Sequence, residues 1–206
     1  AFANTLYIAL FSIVGQMFIS SLAAYSFAKI NFKGKQVVFM LFLSSMMVPS
    51  QLTIIPRFML FKTIGLYNNL WAIILPAFFG ATSIFMLRQF YMGLPNDLIE
   101  AAKIDGAGHL RIFLRIMLPL TKAALMSLII LAFISSWNEY MAPLIFLVKK
   151  ELYTVSQNIQ WYMLDEFKEH NLTMAAATSA IVPVVILFIV GQKYFVEGIA
   201  TSGVKG

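Results

Sequence analysis

The sequence predicts an all-α integral membrane protein, a bundle of about five transmembrane helices with a cytoplasmic helix–turn–helix between the third and fourth. Three observations carry this. The hydrophobic set makes up 60% of 206 residues, mean hydropathy is +0.82 and only 12% of residues are charged. A soluble domain is about 45–50% apolar and about 25% charged, so one soluble core cannot bury the excess. Second, five apolar runs reach the roughly 20 residues that a bilayer core requires. Third, the basic residues fall unevenly between those runs.

The first run is Thr5–Ala28, ending before the basic patch "KINFKGK". The second is Val37–Phe61, interrupted by Pro49 and Pro56, and the third is Leu70–Tyr91, with Pro76 inside. The fourth is Leu120–Val148, carrying "SSWNEYMAP", and the fifth is Leu172–Phe195, with Pro183. Lys29, Lys33, Lys35, Arg88, Lys103, Arg111, Arg115, Lys122, Lys193 and Lys205 fall on one side. Arg57, Lys62, Lys149, Lys150 and Lys168 fall on the other. Basic residues favour the cytoplasm, so the larger set is cytoplasmic, the N-terminus external and the C-terminus cytoplasmic. The loop at 92–119 is then cytoplasmic. The loop Lys149–Asn171 is external, with Glu151, Asp165, Glu166 and Glu169 offsetting its lysines. The chain starts at Ala1, not Met, and reads as a fragment or processed form; residues 1–4 lack the basic segment of a cleavable signal peptide. The whole chain, 1–206, reads as a single transmembrane domain.

Several chemistries are excluded. There is no cysteine, hence no disulfide or thiolate metal site. His109 and His170 read as polar loop residues, not a ligand pair. The net charge of +6 belongs to membrane topology, not nucleic acid, because the cations flank apolar spans.

The insert "IEAAKIDGAGHLRIFLRIMLPL" (Ile99–Leu120) is the most informative stretch. Gly93 and Pro95 end the third span. Asn96 or Asp97 can cap a helix, with Glu100 at capping-box spacing from Asp97. Gly106 and Gly108 permit a sharp turn. Leu110, Phe113, Leu114, Met117 and Leu118 then recur at helical spacing on one face, with Arg111 and Arg115 on another. Pro119 starts the next span. The residues alone leave two readings: an amphipathic connector on the headgroups, or a small-residue helix docking into a groove on a partner.

The pattern E-A-A-x3-G-x9-I-x-L-P, formed by Glu100, Ala101, Ala102, Gly106, Ile116, Leu118 and Pro119, resembles the "EAA" loop of permease subunits of bacterial ATP-binding-cassette importers. "LAAYSFAKINFKGK" (Leu22–Lys35), "PSQLTIIPRFMLFKTIGLYNNLWAIILP" (Pro49–Pro76), "SSWNEYMAPLIFL" (Ser135–Leu147) and "QKYFVEGIATSGVKG" (Gln192–Gly206) extend it to nearly the whole chain. They are similar to the carbohydrate branch, to the second membrane component of maltose or glycerol-phosphate permeases. Family members usually have six spans, which implies that the first is absent here. The resemblance implies that the elbow couples to a cytoplasmic ATPase. Glu100 would make a charged contact, Ala101 and Ala102 would allow close docking, and Gly106 would form the turn. Asp105 would hold the elbow or pair with Arg111. It further implies a second homologous permease, two ATPase subunits, an external solute-binding protein and the lipid bilayer as partners. This chain lacks a G-x4-G-K-[ST] motif. It is therefore expected to be a transport subunit with no cofactor of its own, ATP being held by the partner and no nucleic acid involved.

Polar residues within spans suggest a pathway or a structural pair. Trp137, Asn138 and Glu139, with Gln51 on the second span, are the substrate candidates; packing against neighbouring helices is the plainer reading of the same residues. Glu139 is the one plausible internal acid, which argues against an ion-driven secondary transporter. No nucleophile–base spacing suggests an enzyme, and no metal site is expected. The same architecture importing an amino acid, peptide or phosphate ester stays open.

Overall fold

The computed structural model describes residues 1–164 and 170–203, with side chains for 1–163 and 170–192. The charges expected at Asp165, Glu166, Lys168, Glu169 and Lys205 lie outside the described residues. In order, the helices are α1 (Phe2–Lys29), α2 (Lys35–Ser45), α3 (Ser50–Thr63), α4 (Trp71–Ala77), α5 (Ala81–Gly93) and α6 (Asp97–Ile104). Then come α7 (His109–Ile112), a π-helical turn (Phe113–Met117), α8 (Leu118–Leu120) and α9 (Lys122–Trp137). The chain continues with α10 (Met141–Phe146), a 3-10 turn (Lys150–Leu152), α11 (Val155–Leu164) and α12 (His170–Gly203). No strand occurs among the described residues.

Among the described residues three segments are long and apolar enough to cross a membrane unaided: Phe2–Lys29, Trp71–Gly93 and His170–Gln192. The count rises to five when each of two bent helix pairs is taken as one span. The second expected span is thus two helices, α2 and α3. The last residues of α2 tighten into i to i+3 bonds, Met46 N to Leu43 O, Met47 N to Ser44 O and Val48 N to Ser45 O. Pro49 then has no N–H and disfavours a helical Val48. Pro56 and Pro183, by contrast, sit inside α3 and α12 without ending them.

The fourth expected span needs the largest correction. Its helix stops at Trp137, well short of Val148, and begins at Lys122 instead of Pro119. Pro119 lies inside α8, and a 77° bend follows it between His109–Leu120 and Lys122–Trp137. At the bend Thr121 Oγ1 donates to Met117 O or Leu118 O, each 3.1 Å away, a back-bond that bends helices. The loop expected at 149–171 contains α11, and α12 runs on to Gly203.

The chain forms two compact units. Unit 1 joins Ala1–Val14, Ser50–Ala77 and Ile130–Gln192. Phe61, Ala72 and Phe146 form its buried cluster, flanked by Ile54, Phe58 and Leu66. Gln157, 6% exposed, donates to Pro143 O (3.0 Å) and Leu147 O (3.1 Å) and accepts from Thr154 N (3.2 Å). It thereby adds a second bond to Pro143 O, which already accepts from Leu147 N, and satisfies Leu147 O just past the end of α10, where the helix supplies no donor.

Unit 2 joins Gly15–Pro49 and Phe78–Ile129 with the end of α12. Phe27, Phe39 and Ile84 form its cluster. Gly15 is a close approach, since a Cβ there would lie 2.1 Å from the Phe78 ring. Small residues at such positions let membrane helices pack closely. Carbonyls at and just past the end of α1 meet cations, a favourable pairing at a helix C-terminus: Arg88 Nε donates to Phe27 O (3.3 Å), and Lys35 Nζ to Ile30 O (3.0 Å). Arg88 also lies 4.1 Å from the centre of the Phe39 ring, within cation–π range.

Candidate functional site

The loop between α5 and α9 is built by its own punctuation. Leu94, at ψ 142°, leaves the α5 helix in extended backbone as required before Pro95. Asn96 stands at the N-cap of α6, but the expected capping box does not form. Asn96 Oδ1 instead accepts from Lys29 Nζ at 2.7 Å, while the same ammonium donates to Leu94 O at 2.7 Å. Lys29 thus ties the entry of α6 to the end of α1.

The α6 helix buries Ile99 and Ala102 and exposes Asp97, Glu100, Ala101 and Ile104, positions that share one helical face. Ile104 is 86% exposed. Among the described residues neither Glu100 nor Asp105 has a hydrogen-bond or ion-pair partner, and Asp105 does not pair with Arg111. Of the two alanines, Ala101 lies on the exposed side and Ala102 packs within the subunit.

Gly106 ends α6 in a Schellman motif: Ala107 N donates to Ala102 O (2.9 Å) and Gly106 N to Lys103 O (3.0 Å). Gly106 has φ +77° with open space around a notional Cβ. Backbone conformation, not crowding, requires glycine here. Gly108, at φ −72°, has no such requirement.

The following helix does not bury the face its spacing predicts. Ile112, Phe113 and Met117 are buried, while Leu110 and Leu114 are exposed. A π-helical turn at Phe113–Met117, bonded i to i+5 and so wider than an α-helical turn, shifts the buried side here, where Ile112 joins Phe113 and Met117 in the interior. Arg111, Arg115 and Pro119 are exposed, and Ile116 and Leu118 half-buried. This face docks on a buried polar chain that the sequence did not disclose. His109 Nδ1 lies 3.1 Å from Tyr25 Oη on α1, and the Tyr25 ring packs on Phe113 at 5.4 Å. Beside it Tyr91 Oη contacts Ser21 Oγ at 2.8 Å and Thr121 Oγ1 at 3.5 Å. The elbow is thereby held on α1 and α5.

The second candidate group lies in unit 1. Trp137, 4% exposed, donates Nε1–H to Ala180 O at 3.0 Å and stacks on Phe133 at 5.3 Å. Asn138 is exposed, with Nδ2 donating to Ile134 O at 2.8 Å. Glu139 Oε1 accepts from Ala142 N at 2.9 Å, capping α10 across the break. Gln51 is exposed at the start of α3, 3.4 Å from Ser50 Oγ. Gln51 thus forms no hydrogen bond with the Trp137–Glu139 segment. Arg57, counted in the sequence only as a flanking charge, sits inside α3. Its guanidinium is 5.0 Å from the Phe146 ring centre, and its buried Nε has no hydrogen-bond partner. Among the described residues no group of three His, Cys, Asp or Glu side chains could hold a metal.

Residues 16–201 match the family described as "Binding-protein-dependent transport system inner membrane component". The chain belongs to that family. It is 37% identical, over 100% of its length and 73% of the relative's, to the arabinooligosaccharides transport system permease protein AraQ of Bacillus subtilis (strain 168). It is 32% identical, over 92% of its length and 68% of the relative's, to the sn-glycerol-3-phosphate transport system permease protein UgpE of Yersinia pestis bv. Antiqua (strain Antiqua). A crystal structure of a bacterial ABC transporter involved in import of the acidic polysaccharide alginate contains a similar chain. The TM-score is 0.84 at 26% identity, covering 95% of this chain and 74% of that one. The protein is therefore a permease subunit of a binding-protein-dependent ABC importer, an inner-membrane transport component and not an enzyme. This agrees with the all-helical fold and with the resemblance of the EAA loop.

Proposed function

We propose that this subunit forms half of the translocation pore of an ATP-driven sugar importer, as one transmembrane domain, and couples to a cytoplasmic ATPase through the loop Glu100–Pro119. The observation that carries this is the α6 face. Glu100, Ala101 and Ile104 are exposed together, and Glu100 has no partner among the described residues. An exposed apolar residue beside an unpaired charge suits a partner groove. Gly106 sets the turn, and Asp105, Ile116, Leu118 and Pro119 shape the return to the membrane. Ala102 supports α6 from within.

A second homologous permease, two ATPase subunits carrying ATP and an external solute-binding protein complete the assembly. ATP and the loaded binding protein would bias the pore toward an outward-facing state, which requires that each bind that state better. The loop and the C-terminus face the cytoplasm, by the asymmetry of ten basic residues against five. Trp137, Asn138, Glu139 and Gln51 are the pathway candidates.

Similarity to AraQ and to the alginate importer supports a sugar cargo; similarity to UgpE supports a phosphate ester as the second reading. The test is uptake by the assembled importer. ATP-dependent uptake of a sugar that is lost in Glu100→Lys, with membrane insertion intact, supports the proposal. Normal uptake in that variant refutes the coupling role, and uptake of sn-glycerol 3-phosphate alone refutes the sugar cargo.

A further inference from the structure

An open cavity of about 320 Å³ in unit 1 is lined by Tyr7, Asn68, Asn69, Leu70, Trp71 and Leu152. That is the small end of the ligand-pocket range, about 300–1,000 Å³. Its polar groups share one feature. Asn68, held at φ +59°, accepts at Oδ1 from both Val148 N and Lys149 N, each at 3.0 Å. Asn69 Oδ1 accepts from Trp71 N at 3.0 Å. Both carboxamide oxygens are thus engaged by backbone, and both NH2 groups lack a partner among the described residues. This also fixes which end of each amide is oxygen. Phe11 supports the aromatic rings, 4.5 Å from Tyr7 and 5.8 Å from Trp71. No charged side chain lines the cavity.

Two fixed N–H donors beside flat apolar rings suit a ligand with acceptor oxygens around a C–H-rich face, and the lack of charge disfavours a phosphate or carboxylate. We infer that this cavity is an entry subsite for one neutral sugar unit. It rests on the sugar-import reading above, whose topology also puts Tyr7, residues 68–71 and Leu152 at the external side. The residues 137–139 are not part of it. The subsite would hold a saccharide near the mouth and lower the apparent KM without altering turnover.

Asn69→Asp separates this role from a structural one, because it keeps the oxygen that caps Trp71 N but removes the NH2. Trp71→Leu removes the flat ring and keeps apolar bulk. The complete importer, with its binding protein, is assayed in proteoliposomes with arabinotriose, maltotriose and sn-glycerol 3-phosphate. For whichever neutral sugar is carried, the inference expects apparent KM to rise about three- to tenfold in each variant, the range for one lost hydrogen bond. Maximal uptake and ATP hydrolysis should hold. Unchanged KM in both variants, with sugar carried, overturns the subsite and leaves the sugar reading standing. Wild-type uptake of sn-glycerol 3-phosphate but of neither sugar overturns both.

Discussion

The loop from Asn96 to Thr121 and the break from Trp137 to Ala142 are polar interruptions of an apolar chain, and they handle polarity in opposite ways. At the break, polar groups bond within the subunit: the indole N–H to Ala180 O, Asn138 to Ile134 O, Glu139 to Ala142 N. In the loop, Glu100 and Asp105 bond to nothing among the described residues, while His109 and Thr121 anchor the reverse side. Satisfied polar groups stabilise their own chain; a well-anchored helix with unsatisfied charge on its free face is available to another. Substitutions in the loop should therefore affect transport more than stability, and substitutions at the break should do the reverse.

The largest effect should come from Gly106→Val. A β-branched residue is a strong outlier at φ +77°, so the turn after α6 must re-form. ATP-dependent uptake should fall more than tenfold, of the size a misplaced contact far from the chemistry produces, while membrane insertion persists. Glu100→Lys should follow, with uptake down about tenfold, the cost of reversing one interfacial charge. Its melting temperature should stay near wild type, because Glu100 has no internal partner to lose. A parallel drop in melting temperature would mean that Glu100 serves its own fold.

Effects at the break are smaller and fall on stability. Glu139→Ala removes the acceptor of Ala142 N and should cost about 0.5–2 kcal/mol, as a lost cap does. Glu139→Gln keeps an oxygen there and should recover most of it. Unfolding of the purified subunit reads both. Asn138→Ala should be smallest, within about 0.5 kcal/mol as for an ordinary exposed site. An apparent KM unchanged in Asn138→Ala would leave this residue as packing, and a raised KM would assign it to the sugar path.

Much of this was legible in the sequence, for identifiable reasons. The all-helical membrane class and the approximate places of the apolar runs follow from hydropathy, and α6, Gly106 and its turn follow from local punctuation. Contacts across the chain were not legible. Asn96 caps nothing because Lys29, far away in sequence, takes its oxygen. The stripe at 110–118 was misread because a π-helical turn changes the period without any signature in composition. The shortened fourth span escaped notice because Asn138–Tyr140 interrupts an apolar run without proline or glycine. Arg57 reads as a flank in the sequence because charge counting does not see that its Nε is buried inside the fold. The cavity at Asn68 and Trp71 needed the backbone of Val148 and Lys149, distant in sequence, to define its donors.

The chain has no cysteine, so a single introduced thiol reports one position cleanly. The most direct measurement is cross-linking of Glu100→Cys and of Asn138→Cys, each in the assembled importer, to the co-purified ATPase subunit. The account predicts a permease–ATPase adduct from position 100 that depends on nucleotide, and none from position 138. No adduct from position 100, or equal adducts from both, would contradict it.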